Sequence, residues 1–182
     1  LGIGILDILV MGFALSADAM SVTICNILGN PHLSRSRRIA MPTFFGVFQG
    51  LMPILGFYAG SLAASFIESY AGIITLVILG AIGGKMVWDG FHEEAEDVRD
   101  ISYKVLFLQA IATSIDAFAV GVAFVAEGVN IWMAAPIIAL CTFALCALML
   151  FIGKRFGDRL GQRAQVVGGI ILIAIGLKAM FF

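Results

Sequence analysis

The sequence predicts an all-α integral membrane protein: six transmembrane helices arranged as two inverted three-helix repeats. Three observations carry that prediction. The 182 residues are 61% hydrophobic and 13% charged, about half the charge of an ordinary soluble domain, and the mean hydropathy is +1.05. Apolar runs long enough to cross a bilayer, about 20 residues each, recur along the whole chain. Finally, a polar motif inside the first run returns inside the fourth. The runs are continuously apolar rather than alternating, which speaks against a β-barrel.

In chain order the spans are expected at 5–27, 39–60, 70–88, 104–126, 132–153 and 164–181. The first lacks a basic leader region and an A-x-A cleavage pattern and carries Asp7 instead, so it reads as a span rather than a signal peptide. Connections are short except for "DGFHEEAEDVRDISYK" at 89–104. The chain therefore divides into a first repeat at 1–88, an acidic linker at 89–103 and a second repeat at 104–182. The linker acids read as a solvated face, with attraction of cations to an entrance as the sharper alternative. Cys25, Cys141 and Cys146 all fall in apolar segments and read as packing residues, not a disulfide framework. His32 and His92 have no ligand-spaced companion and receive no role.

Basic residues set the orientation. Arg35, Arg37 and Arg38 follow span one; Lys85, Arg99 and Lys104 flank the linker; Lys154, Arg155, Arg159 and Arg163 follow span five. Six spans put these ten of the eleven basic residues on one side, leaving Lys178 opposite. The positive-inside rule makes that side cytoplasmic, with both termini outside.

The halves repeat one another. "ALSADAMSV" at 14–22 returns as "ATSIDAFAV" 98 residues later, "LMPILGFYAG" as "LMLFIGKRFG" 97 later, and "ILGAIGGK" as "LIAIGLK" 93 later. Three spans per unit is an odd number, so the second unit enters the membrane from the opposite face, a construction common among secondary transporters.

Asp18 and Asp116 lie near the middle of spans one and four at 1.5 Å of rise per residue. A charged Asp at a helix centre costs about 2.5–3.5 kcal/mol, and intramembrane acids are functional by default. Lys85 and Lys178 stand at helix ends and can snorkel away. Two facing carboxylates without a cation would raise each other's pKa; a divalent cation bound by carboxylate oxygens removes the conflict. The candidate metal ligands are therefore Asp18, Asp116 and Gln49. Pro53, four residues after Gln49, cannot donate to its carbonyl and so frees another oxygen; an ordinary kink with Gln49 bonding another helix is the alternative. Ser21, Thr113 and Gln109 share the faces of the aspartates by helical spacing and are the further ligand or pathway candidates. Ser16 and Ser114, two residues before each Asp, point elsewhere on a regular helix and read as small packing residues, as do Gly46 and Gly50. The G-x-x-x-G spacings at 56/60, 80/84 and 153/157 are read the same way.

With "SADAMSV", "SIDAFAV", "FGVFQGLMPILG" and the two "AIG-x-K" endings in view, the chain resembles the MntP-type manganese efflux pumps, inner-membrane proteins related to the lysine exporter superfamily. The likeness covers essentially the whole chain. It implies six spans, outward termini, export of Mn²⁺ from the cytoplasm, and Asp18 and Asp116 as essential membrane acids. Some members carry an acid in span two where this chain has Gln49, so one less negative charge is implied here.

Chemistry agrees on the class of ion: oxygen ligands suit Mn²⁺, Mg²⁺ and Ca²⁺, whereas softer metals call for His or thiolate. Cys25, seven residues after Asp18, would shift that preference if it were a ligand. The choice of Mn²⁺ comes from the resemblance. The expected function is a secondary exporter working by alternating access around a mid-depth carboxylate site, with proton exchange as a possible coupling. A cation or proton channel through the same acids is the alternative. An intramembrane aspartyl protease fits poorly, because the second acid stands in "TSID" rather than G-x-G-D. No nucleotide loop or haem motif is present. A non-enzymatic protein is therefore expected, with the lipid bilayer and Mn²⁺ as partners, no resident cofactor, and no nucleic acid or nucleotide.

Overall fold

The computed structural model describes residues 4–30, 33–91 and 101–160, together with Val166, Ile170, Ile171, Ile173, Ala174 and Leu177. Helix is the regular structure throughout, with no strand among the described residues. α1 spans Ile5–Gly29, α2 Arg35–Phe91, α3 Tyr103–Thr113, α4 Ile115–Ala126 and α5 Ile131–Leu160. Four stretches are long and apolar enough to cross a membrane: Ile5–Gly29, Arg35–Gly60, Tyr103–Val125 and Ile131–Arg155. They coincide with the first, second, fourth and fifth expected spans, and the protein is a multi-pass membrane protein. The third expected span falls in the second arm of α2. The sixth lies largely outside the described residues, as do His32, His92 and most of the linker.

Local chemistry explains each boundary. The Asp7 carboxylate accepts the Gly4 N–H at 2.8 Å in the first turn of α1, where the helix dipole favours an acid. Asn30 closes that helix, its side-chain amide donating to the Asn26 carbonyl at 3.1 Å. Ser102 caps α3 by accepting the Lys104 N–H at 3.2 Å. At the end of α4, Gly128 takes φ +64°. Val129 N–H then donates to Phe124 O and Gly128 N–H to Val125 O, the paired bonds of a Schellman motif. Val129 and Phe124 also share one apolar cluster, which completes it. Asn130 opens α5 by accepting the Trp132 N–H at 3.1 Å.

Gly60 divides α2. Its φ of +67° and ψ of −173° lie in a region that only glycine occupies cheaply. A Cβ there would meet nothing within 4 Å among the described residues, so conformation, not close packing, requires this glycine. The packing role read from the 56/60 spacing thus holds only for Gly56, whose Cβ would run into the Phe118 carbonyl of α4. The 80/84 spacing likewise meets no other helix among the described residues.

The packing crosses between the halves. α1 lies on α5, and α2 lies on α4, α5 and α3. Gly46 and Gly50 of α2 sit against Ala135, Ala139 and Phe143 of α5. Gly121 of α4 sits on the backbone of Pro53, and Gly153 of α5 on Ile27. Two apolar clusters result. One contains Ala19, Val22, Met41, Phe45, Leu106 and Cys146; the other contains Ile8, Leu15, Ala117, Phe124 and Ile138. Cys25 is fully buried in the first cluster, and all three cysteines are free thiols.

Candidate ion site at mid-depth

Polar residues collect at the seam between the two clusters. Along α1, Asp18 falls between Leu15 of one cluster and Ala19 of the other; along α2, Gln49 falls between Phe45 and Met52; Asp116 falls between Ala112 and Ala117. Thr142 of α5 occupies the same level, between Ile138 and Cys146. The Ser16 hydroxyl donates to Gly12 O at 2.6 Å and pairs with the Thr142 hydroxyl at 2.8 Å. It thereby joins α1 to α5 by a hydrogen bond as well as by its small size.

The run 104–126 reads in the sequence as one regular helix, but it is two. α3 ends at Thr113, Ser114 turns the backbone to φ −114° and ψ 6°, and α4 begins at Ile115. Hydroxyls take up the carbonyls that the break would strand. Ser114 Oγ donates to Ala110 O at 2.6 Å, and Thr113 Oγ1 donates to Gln109 O at 2.9 Å. Such back-bonding competes with the helical ladder and bends it. Inside a bilayer a break is tolerated only where the freed groups are satisfied. Ser114 is therefore the junction of a discontinuous span as well as a small buried residue. Face assignments by regular spacing do not carry across it.

The break places Asp116 in the first turn of α4, where its Oδ1 accepts the Ala117 N–H at 2.8 Å. A half-helix N-terminus is a favourable place for negative charge. Gln49 is 0% exposed. Its Nε2 donates to the Leu15 carbonyl of α1 at 3.1 Å, and its side chain also reaches the Asp116 carboxylate. Gln49 Oε1 is buried and finds no hydrogen-bond partner among the described residues. An unpaired buried acceptor costs about 1–3 kcal/mol. Asp18 stands close enough to Asp116 for the two charges to act on one another. Asp18 is half-buried and Asp116 exposed, so neither is sealed in the core.

The remaining candidates are placed as follows. Ser21 Oγ donates to Ala17 O at 2.9 Å. Gln109 is 0% exposed and fully engaged elsewhere: its Nε2 donates to Asn26 Oδ1 at 2.9 Å and its Oε1 accepts from Asn26 Nδ2 at 2.7 Å. Both ends of that amide are engaged with Asn26. Asn26, 1% exposed, is the residue that sequence reading passed over. An amide eight residues beyond Asp18 in an apolar run was the available signal. Among the described residues no group of three or more His, Cys, Asp and Glu could hold a metal. The donor set at the seam is two carboxylates and an amide, all hard oxygen donors of the kind that suit Mg²⁺, Ca²⁺ or Mn²⁺.

Packed apolar helices, one of them broken at mid-depth beside intramembrane acids, define a polytopic membrane protein with a polar site inside its bundle. The family model described as "Putative manganese efflux pump" matches residues 32–180. A relative named as such a pump, MntP, from Aliarcobacter butzleri is 37% identical over 178 residues, covering 97% of this chain and 99% of its own length. Those from Ruminiclostridium cellulolyticum and Methanosphaera stadtmanae, similarly named, are each 38% identical, covering 97% and 96% of this chain and 97% and 98% of their own. The chain belongs to the MntP family. No solved structure matches it.

Proposed function

We propose that this protein is a secondary transporter that exports Mn²⁺ from the cytoplasm through a mid-depth site formed by Asp18, Asp116 and Gln49. The observation that carries the reading is the broken fourth span. It presents Asp116 at a half-helix N-terminus, beside a buried Gln49 whose side-chain oxygen lacks a partner among the described residues. A divalent cation between the carboxylates neutralises two charges that would otherwise repel, and gives Gln49 Oε1 something to bind. Ser21 and Thr113 keep hydroxyl lone pairs beside this site and line its approach. The family supplies the choice of Mn²⁺ among hard divalent ions.

Transport proceeds by rocking of two inverted halves around the fixed site. The crossed packing, α1 on α5 and α2 on α4, is the pairing that a pseudo-twofold axis between the repeats generates. The protein sits in the plasma membrane with its basic helix ends in the cytoplasm and both termini outside. Protons arriving from outside re-protonate the aspartates and release the metal.

The direct test is cellular manganese content under manganese excess, in cells expressing the wild type, Asp18→Asn or Asp116→Asn. Asn keeps the volume and removes the charge. Both variants are expected to accumulate manganese like cells lacking the protein. Protection equal to wild type in both would remove the proposed site.

A further inference from the structure

A cavity of about 540 Å³ opens where the end of α1, the start of α2 and the last turns of α5 meet. Its lining includes Arg35, Arg38, Lys154 and Arg155, and no described residue of that lining is acidic. Its wall is apolar, with Ile39, Phe143 and Phe151 among the lining side chains. Phe151 is 78% exposed. Arg38 Nε is buried and has no hydrogen-bond partner among the described residues.

Depth gives this arrangement its meaning. Arg35 and Arg155 are the end residues of two membrane-crossing stretches, Arg35–Gly60 and Ile131–Arg155, so the cations stand at headgroup level. Phe143 lies twelve residues below Arg155 along α5, about 18 Å at 1.5 Å per residue, within the hydrocarbon. We infer that this cavity is a binding site for an anionic phospholipid, with its phosphodiester among the four cations and an acyl chain along Ile39, Phe143 and Phe151. Basic pockets between transmembrane helices recognise lipid headgroups in this way. A zwitterionic lipid would bring its ammonium group into the same cluster of positive charge. A small free phosphate would leave the apolar wall uncovered. The inference stands independently of the ion site.

The test is native mass spectrometry of the full chain in detergent, with phosphatidylglycerol or phosphatidylcholine of equal chain length added. Phosphatidylglycerol is expected to be retained at least tenfold more than phosphatidylcholine. The double substitution Arg38→Gln/Lys154→Gln should bring retention to the phosphatidylcholine level. Ala147 also lines the cavity, and Ala147→Trp, which fills it from the apolar side and keeps every charge, should do the same and stands if the charge variant fails to fold. Lys104→Gln, away from the cavity, should change nothing. Equal retention of the two lipids, or undiminished retention in the folded cavity variants, would overturn the assignment. So would displacement of phosphatidylglycerol by an equal concentration of glycerol 3-phosphate, which carries the phosphate without the chains.

Discussion

Gln49 shows how much one neutral side chain can contribute to an otherwise acidic site. It ties α1 to α2 through the Leu15 carbonyl and leaves its own oxygen unpartnered among the described residues. If that oxygen is a ligand, its loss should harm transport more than folding. Gln49→Leu is expected to cut manganese efflux at least tenfold, about 1.4 kcal/mol of lost stabilisation, while the variant still purifies as a monodisperse species. Gln49→Glu, which restores the acid implied for some relatives, should keep efflux near the wild-type level. Efflux from manganese-loaded cells, read alongside size-exclusion profiles, checks both. A Leu variant that transports normally would confine Gln49 to a structural role.

Glycines separate the elements that must touch from those that must bend. A Cβ on Gly121 would collide with the backbone of Pro53, whereas one on Gly84 would meet nothing within 4 Å among the described residues. Gly121→Val is expected to destabilise the fold by about 1–3 kcal/mol through overpacking. Gly84→Ala should be neutral or slightly stabilising, because alanine loses less backbone freedom in a helix. Thermal unfolding in detergent distinguishes them. At this scale the sequence was informative about length and silent about interruption. The spans at 5–27, 39–60, 104–126 and 132–153 were legible because about 20 apolar residues in a row have few other uses. The Ser114 break was not, since the hydroxyl bonds that cause it leave apolar periodicity unchanged. Gly60 is illegible for a related reason: a G-x-x-x-G spacing looks the same whether its second glycine packs or turns. Asn26 escaped because its partner, Gln109, lies 83 residues away. Asp18 and Asp116 stood out because charge in an oily run is conspicuous whatever the helix geometry.

Across the whole molecule, the ends of α1 and α5 and the start of α2 converge on one cavity. Arg35 and Arg38 after span one and Lys154 and Arg155 at the end of span five therefore line one cavity. The orientation of that cavity and the coupling of transport are open to experiment in reconstituted vesicles. Manganese flux is expected to accelerate when protons are more concentrated on the side that receives the metal. Collapsing that gradient should slow flux without abolishing downhill exchange. Flux indifferent to the gradient would remove proton exchange, and unitary currents far above carrier turnover would identify a channel.

The reciprocal amide pair between α1 and α3 has one more consequence. Asn26 and Gln109 each satisfy the other's donor and acceptor in a setting that offers little water. Losing Asn26 strands both ends of the Gln109 amide. Losing Gln109 strands Asn26 Oδ1 and leaves Asn26 Nδ2 only the weak Met41 sulfur acceptor at 3.8 Å. Each buried group left bare costs about 1–3 kcal/mol. Exchanging both for hydrocarbon strands none. Mutational drift at these two sites is thus correlated: lineages should retain the couple or discard it together, and a widowed amide should be rare.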